Sequence, residues 1–321
     1  MRRLPVPAGV RRALGLALLA ASLAFLADAV YSDWAALAFH VEQSWFWAAA
    51  GIGAAAYAAL LTLLAAAWAL VTLTAAPGAG EGPAGARALM PLIRAYGVSN
   101  LLKYLPGNVF HYGARQAMGA RAGLPHRALA AASVTELALH VAAALAVAGG
   151  FLLLDRAVLG QAPPVPAGVT LDTGLAGAAG LAAGLGLLAL IGPLFRRQGD
   201  RTGRPMRVLA VAFACQAAFF AGSGLIAALC LAALPAGGFS LTAGAFFLIA
   251  WLAGFATPGA PGGVGVREAA LVLLLTGPAD LAVALALLTR LVSSLGDVLF
   301  AAAVSVPTPK RPSQPGRESG P

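Results

Sequence analysis

The chain is organised by long apolar runs that carry no charge. Trp45–Thr74, Thr173–Phe195 and Val208–Val266 contain no Asp, Glu, Lys or Arg. A bilayer crossing takes about 20 apolar residues, so the last run has to cross, turn and re-enter. The polar/apolar alternation of an outer-membrane barrel is absent, and only α-helices fit such runs. Six crossings are predicted, at about Ala13–Phe39, Trp45–Thr74, Ala128–Leu154, Thr173–Phe195, Val208–Leu234 and Leu281–Val306. Two further apolar segments, about Ala88–Gly119 and Leu241–Gly277, are each broken by a Pro-Gly pair. Such a break removes helical hydrogen bonds, and the freed backbone must be buried in protein or line a wet cavity. Re-entrant helix–loop–helix hairpins fit best.

The two breaks share a pattern. Pro106-Gly107 is followed by Gly113 and Arg115, and Pro258-Gly259 is followed at the same spacings by Gly265 and Arg267. Each copy reads Pro-Gly-x5-Gly-x-Arg, and the copies lie 152 positions apart, close to half the chain. An internal repeat of about 13–154 on 171–306 follows. Each half reads helix, helix, broken hairpin, helix.

Charge then orients the halves. Basic residues cluster at Arg2, Arg3, Arg11 and Arg12; from Arg87 to Arg127; from Arg196 to Arg207; and at Lys310, Arg311 and Arg317. The intervening loops hold Asp28, Asp33, Glu42, Asp155, Asp172 and Asp280, with Arg156 the one base. This is the positive-inside bias, and it places both termini in the cytoplasm. The halves then start on opposite sides of the membrane, which makes the repeat an inverted 4+4, an architecture typical of secondary transporters. The expected fold is therefore an all-α membrane protein, residues 1–306 forming one polytopic domain and 307–321 a disordered cytoplasmic tail.

Composition agrees: 60% of residues are apolar, 10% are charged and mean hydropathy is +0.83. The net charge of +9 is explained by membrane topology, so no nucleic-acid partner is inferred. Cys215 and Cys230 lie in one predicted helix and suggest neither a disulfide nor a metal site. Nearly all of the 21 basic residues are Arg, which with abundant Ala and Gly fits a bacterium of GC-rich genome. The N-terminal Arg pairs, apolar core and Ala27-Asp28-Ala29 also fit a cleavable signal peptide. An uncleaved first helix is preferred, because cleavage would leave the first half without its counterpart.

Candidate chemistry gathers at the breaks. Glycines beside a helix N-terminus let a ligand approach free N–H groups, and an Arg adds a fork suited to phosphate or carboxylate. The first copy offers Lys103, Tyr104, Pro106, Gly107, Asn108 and Arg115, enriched by His111 and Tyr112. The second offers Pro258, Gly262, Gly263, Gly265, Arg267 and Glu268. These groups are substrate-binding candidates; the plainer alternative is a structural break whose Arg caps carbonyls. Deep in the apolar helices, Glu136 and His140 share one face, as do Arg290 and Asp297. Charges at that depth are costly and should face the interior and pair, whether to hold helices together or to handle ligand or protons. Trp and Tyr near helix ends are read mostly as interfacial anchors.

Lys103-Tyr104-Leu105-Pro106-Gly107 with Arg115, and Pro261-Gly262-Gly263-Val264-Gly265-Val266-Arg267-Glu268, resemble the paired hallmarks of the lysylphosphatidylglycerol synthase transmembrane, or flippase-like, family. The resemblance covers about Ala13 to Val306. It implies a multi-pass bacterial inner-membrane protein whose relatives move or handle lipids. Neither the soluble aminoacyl-transferase domain of the named synthases nor the glycosyltransferase domain of some relatives is seen here, which weighs against synthase activity.

The leading expectation is a flippase-like transporter of a phosphate-bearing phospholipid or glycolipid, with no catalytic residue, no cofactor and no metal. Arg115 and Arg267 would bind phosphate from opposite sides. The alternatives are a membrane-embedded transferase using Asp28, Asp33 and Glu42, or a non-catalytic partner of a lipid enzyme. A homo-oligomer fits any of these readings.

Overall fold

A computed structural model describes residues 31, 34–76, 82–105, 110–159, 172–196, 204–257, 260–275 and 278–306. Most of the first predicted crossing, the tail from 307, Pro106–Val109 and Pro258-Gly259 lie outside the described residues. So do Asp28 and Asp33, two of the three external carboxylates proposed for a transferase, while the third, Glu42, is described at the end of a helix.

Every described element is helical. In chain order these are α1 (Trp34–Glu42), α2 (Ser44–Thr74), α3 (Gly82–Asn100), α4 (Phe110–Arg121), α5 (His126–Leu154), α6 (Thr173–Arg196), α7 (Arg204–Ala233), α8 (Leu241–Ala256), α9 (Val266–Leu274) and α10 (Ala279–Ser305). Five helices are long and apolar enough to cross a membrane, spanning most of α2, α5, α6, α7 and α10. They match five of the six predicted crossings closely. Their outer faces expose Ile52, Val134, Leu175 and Leu190 widely, as surfaces facing lipid do.

Helix α2 runs through the middle, packed against α3, α5, α7 and α10. Small residues set its distances to α10. A Cβ on Gly53 would stand 2.8 Å from Val292, and one on Gly296 would stand 2.7 Å from Tyr57. Helices α5 and α6 pack extensively along each other, with Gly149 against Gly177 and Gly180. Where lipid tails are as apolar as Leu, such close backbone contact is what drives helices together.

Two broken segments complete the bundle. Helix α3 passes into a 3-10 turn, Leu101–Tyr104, before α4; α8 leads through a shorter turn, Pro261–Gly263, into α9. The turns touch each other. Gly262 (φ 56°) lies so close to the Tyr104 ring that a Cβ there would stand 3.1 Å away, and Gly263 (φ 71°) packs on the backbone of Gly254. A side chain at either place would be strained by conformation and by crowding.

Two acidic residues expected in the loops between crossings behave differently. Asp172 does sit exposed at the start of α6, where the amides of Leu175 and Gly174 and the Arg156 guanidinium hold its carboxyl below the usual aspartate value. Asp155, by contrast, is buried and caps α8, accepting from Leu241 N at 2.9 Å and Thr242 Oγ1 at 2.7 Å. The free N–H groups of a buried helix end explain why a carboxylate is drawn inward there. It also fastens the end of α5 to the start of the second broken segment.

Candidate functional site

The two broken segments and helices α2, α5, α7 and α8 enclose a cavity of about 260 Å³. Lys103, His111, Tyr112 and Arg115 reach it from the first segment; Gly262, Gly263 and Arg267 reach it from the second. Tyr57, Tyr96, Phe219, Trp251 and Phe255 supply aromatic walls, and Glu136 and His140 enter from α5. Both motif arginines thus face one chamber, although 152 positions separate them in the chain.

Their surroundings differ. Arg115 is 2% exposed and is paired. Its Nη1 donates to Glu136 Oε2 at 2.6 Å, and its Nε donates to Ser99 Oγ at 3.2 Å. The guanidinium lies 3.9 Å from the centre of the Tyr96 ring, with Trp68 and Tyr112 completing an aromatic cage. A buried cation with both a carboxylate and ring faces around it is well compensated.

Arg267 is 6% exposed, and among the described residues it has no carboxylate partner and its buried Nη2 has no hydrogen bond. Its one close neighbour of note is the Phe247 ring, 4.3 Å from Cζ. The carboxylate next to it, Glu268, is turned away. Glu268 accepts from the amide of Gly265 at 2.7 Å, capping α9, and faces Arg290 Nη1 at 3.4 Å. Arg290 Nη1 also donates to the Gly262 carbonyl at 3.0 Å, so it staples the second break.

The remaining charges close across the two halves. Asp297 on α10 is fully buried and takes Lys103 Nζ at 2.7 Å, Asn100 Nδ2 at 2.7 Å and the Tyr104 hydroxyl. Arg290 and Asp297, which share a face of α10, therefore serve different partners, one in each broken segment. His140 is buried, its Nδ1 2.8 Å from the Glu136 carbonyl, and its ring stacks on Trp251 and Phe255.

The sequence-derived candidates are largely brought together. Lys103, Arg115, Gly262, Gly263, Arg267, Glu136 and His140 line the cavity, while Tyr104, Gly265, Glu268, Arg290 and Asp297 brace it from behind. Pro106, Gly107, Asn108 and Pro258 lie outside the described residues. Missed were Ser99, Asn100 and the aromatic walls. Tyr57, Trp68 and Tyr96 are interior groups rather than interfacial anchors, and Trp251 faces the cavity. Their signal was a position well inside an apolar helix, where a polar-tipped ring needs an interior partner.

Among the described residues no group of three or more His, Cys, Asp or Glu is arranged to hold a metal ion. Among the described residues, the cavity wall combines a guanidinium without a carboxylate partner, glycine backbone and aromatic rings. No protein-family model, no curated protein and no solved structure matches the chain.

Proposed function

We propose that this protein moves a phosphate-bearing lipid across the bacterial inner membrane, holding the headgroup in the central cavity while the acyl chains stay in the bilayer. The finer architecture belongs to the same reading: six crossings and two re-entrant hairpins in an inverted 4+4 repeat, with both termini in the cytoplasm. The observation that carries it is Arg267, a buried cation on the lining of a cavity shared by both copies of the motif and, among the described residues, without a carboxylate partner. Leaving such a group unsatisfied costs folding free energy, which an arriving anion returns as binding. Lys103 and the glycines of the second break flank the same space and assist. Arg115 joins this scheme through Glu136, from which a headgroup would have to win it.

The test is reconstitution of the purified protein into vesicles and measurement of fluorescent phospholipid movement. Arg267→Met should fold normally and lower the rate about tenfold or more, the value of one charge-assisted hydrogen-bond pair. Wild-type rates in that variant would remove the headgroup site from this reading. An untreated protein that moves no phospholipid would remove the transport itself.

A further inference from the structure

The charge count around the cavity bears on which phosphate it takes, given that the ligand is phosphate-bearing as proposed above. Among the described residues four cations meet there, Lys103, Arg115, Arg267 and Arg290, against three carboxylates, Glu136, Glu268 and Asp297. Each carboxylate is already committed to one cation. The undescribed neighbours Pro106–Val109 and Pro258-Gly259 contribute no charge of their own. One positive charge remains, on Arg267.

We propose that the cavity is matched to a ligand group with a single negative charge, a phosphodiester, and that Glu136 is the residue that sets this valence. A phosphomonoester carries about −1.5 to −2 at neutral pH, so it would bring a second charge with no counterpart. In a chamber screened little by water, that second charge is strongly disfavoured. Glu136 creates the limit by occupying the Arg115 fork much as a phosphate oxygen would, at 2.6 Å. Arg115 is held in place on its other side by Ser99 and the Tyr96 ring, so it stays with its partner. The free donors also suit a diester, which spreads one charge over two oxygens. Among the described residues, Arg267 Nη2 from one motif and His111 Nδ1 from the other are both buried and both without a partner, on residues lining this cavity. In its Nδ1–H tautomer His111 would donate the second hydrogen bond.

The test compares dimethyl phosphate with methyl phosphate, and dioctanoyl phosphatidylmethanol with dioctanoyl phosphatidic acid. Binding to the full-length protein in detergent is read by titration at about pH 8.5, where monoesters are dianions. The wild type should bind each diester about tenfold or more tighter than its monoester. Glu136→Gln frees Arg115 and should reverse that order. The double variant Arg115→Gln/Glu136→Gln restores the original count and should restore the original order, and Arg267→Gln should lose diester binding. Should Glu136→Gln fail to fold, the wild type, the double variant and Arg267→Gln still decide. Equal binding, a monoester preference, or no binding of any probe by the wild type overturns the proposal, as does an unchanged order in a folded Glu136→Gln. A diester preference seen with the dioctanoyl pair alone assigns the site to a lipid headgroup, and a diester preference in which dimethyl phosphate binds as tightly as dioctanoyl phosphatidylmethanol assigns it to a free phosphate ester; the valence rule holds in both. Lipid movement is scored separately. Transport without a diester preference leaves the function and removes this inference, and a diester preference without transport does the reverse.

Discussion

Arg115 and Arg267 hold the same place in two copies of one motif, yet among the described residues one is satisfied and the other is not. Arg115 has a carboxylate at 2.6 Å, a hydroxyl and three aromatic rings around it. Arg267 has the Phe247 ring and a buried nitrogen without a partner. The difference arises outside the motif. Position 136 on α5 carries a carboxylate, whereas Glu268 in the second copy is spent on capping α9 and on Arg290. A duplicated motif can therefore place two identical groups in unlike surroundings, one braced by a carboxylate and the other without such a partner among the described residues, which is the one given the binding role under the proposed function.

The sharpest way to break this contrast is to remove the partner from one and the charge from the other. Glu136→Ala leaves Arg115 buried and uncompensated, and should cost about 3–5 kcal/mol, read as a large drop in melting temperature in detergent. Arg267→Met removes a charge that nothing described compensates, so its melting temperature should stay level or rise while lipid movement is lost. If the two variants melt alike, the division between brace and binder fails.

A smaller loss, about 2–4 kcal/mol, is expected from Asp297→Asn. Asparagine keeps one acceptor for Asn100 or Tyr104 but no longer neutralises Lys103. Full stability in that variant would mean that the cross-half ion pair is replaceable, and the charge count would have to be redrawn.

The smallest effect belongs to Asp172, far from the cavity and open to solvent. Its carboxyl is held below the usual aspartate value, so its capping contribution is present above that value and fades as pH falls below it. Asp172→Asn should therefore change melting slightly at neutral pH, and the difference from wild type should shrink under acid conditions, below about pH 4. A constant difference across that range would show the contact to be idle.

The long helices were legible because hydropathy over some twenty residues is set by the membrane itself. The α2 and α6 starts, Ser44 and Thr173, fall at or beside the expected positions. The interior location of Glu136, His140, Arg290 and Asp297 was legible for the same reason, since charge at that depth has nowhere else to go. The partners were not legible. Lys103 meets Asp297 from the other end of the chain, and a one-dimensional pattern says which residues need partners without saying which helices will adjoin. Asp155 was placed in a loop between crossings, and nothing in that placement showed that its carboxylate turns in to the N-terminus of α8.

The cross-half contacts of Asp297 also impose an order in time. Tyr104 precedes Asp297 by 193 residues. At roughly 5–20 residues per second of synthesis, the first broken segment waits about ten to forty seconds for the carboxylate that neutralises Lys103. Until α10 emerges, the most deeply seated contacts of the first half have no counterpart, so final seating of this segment is a late event in biogenesis, whatever the order in which the helices enter the membrane.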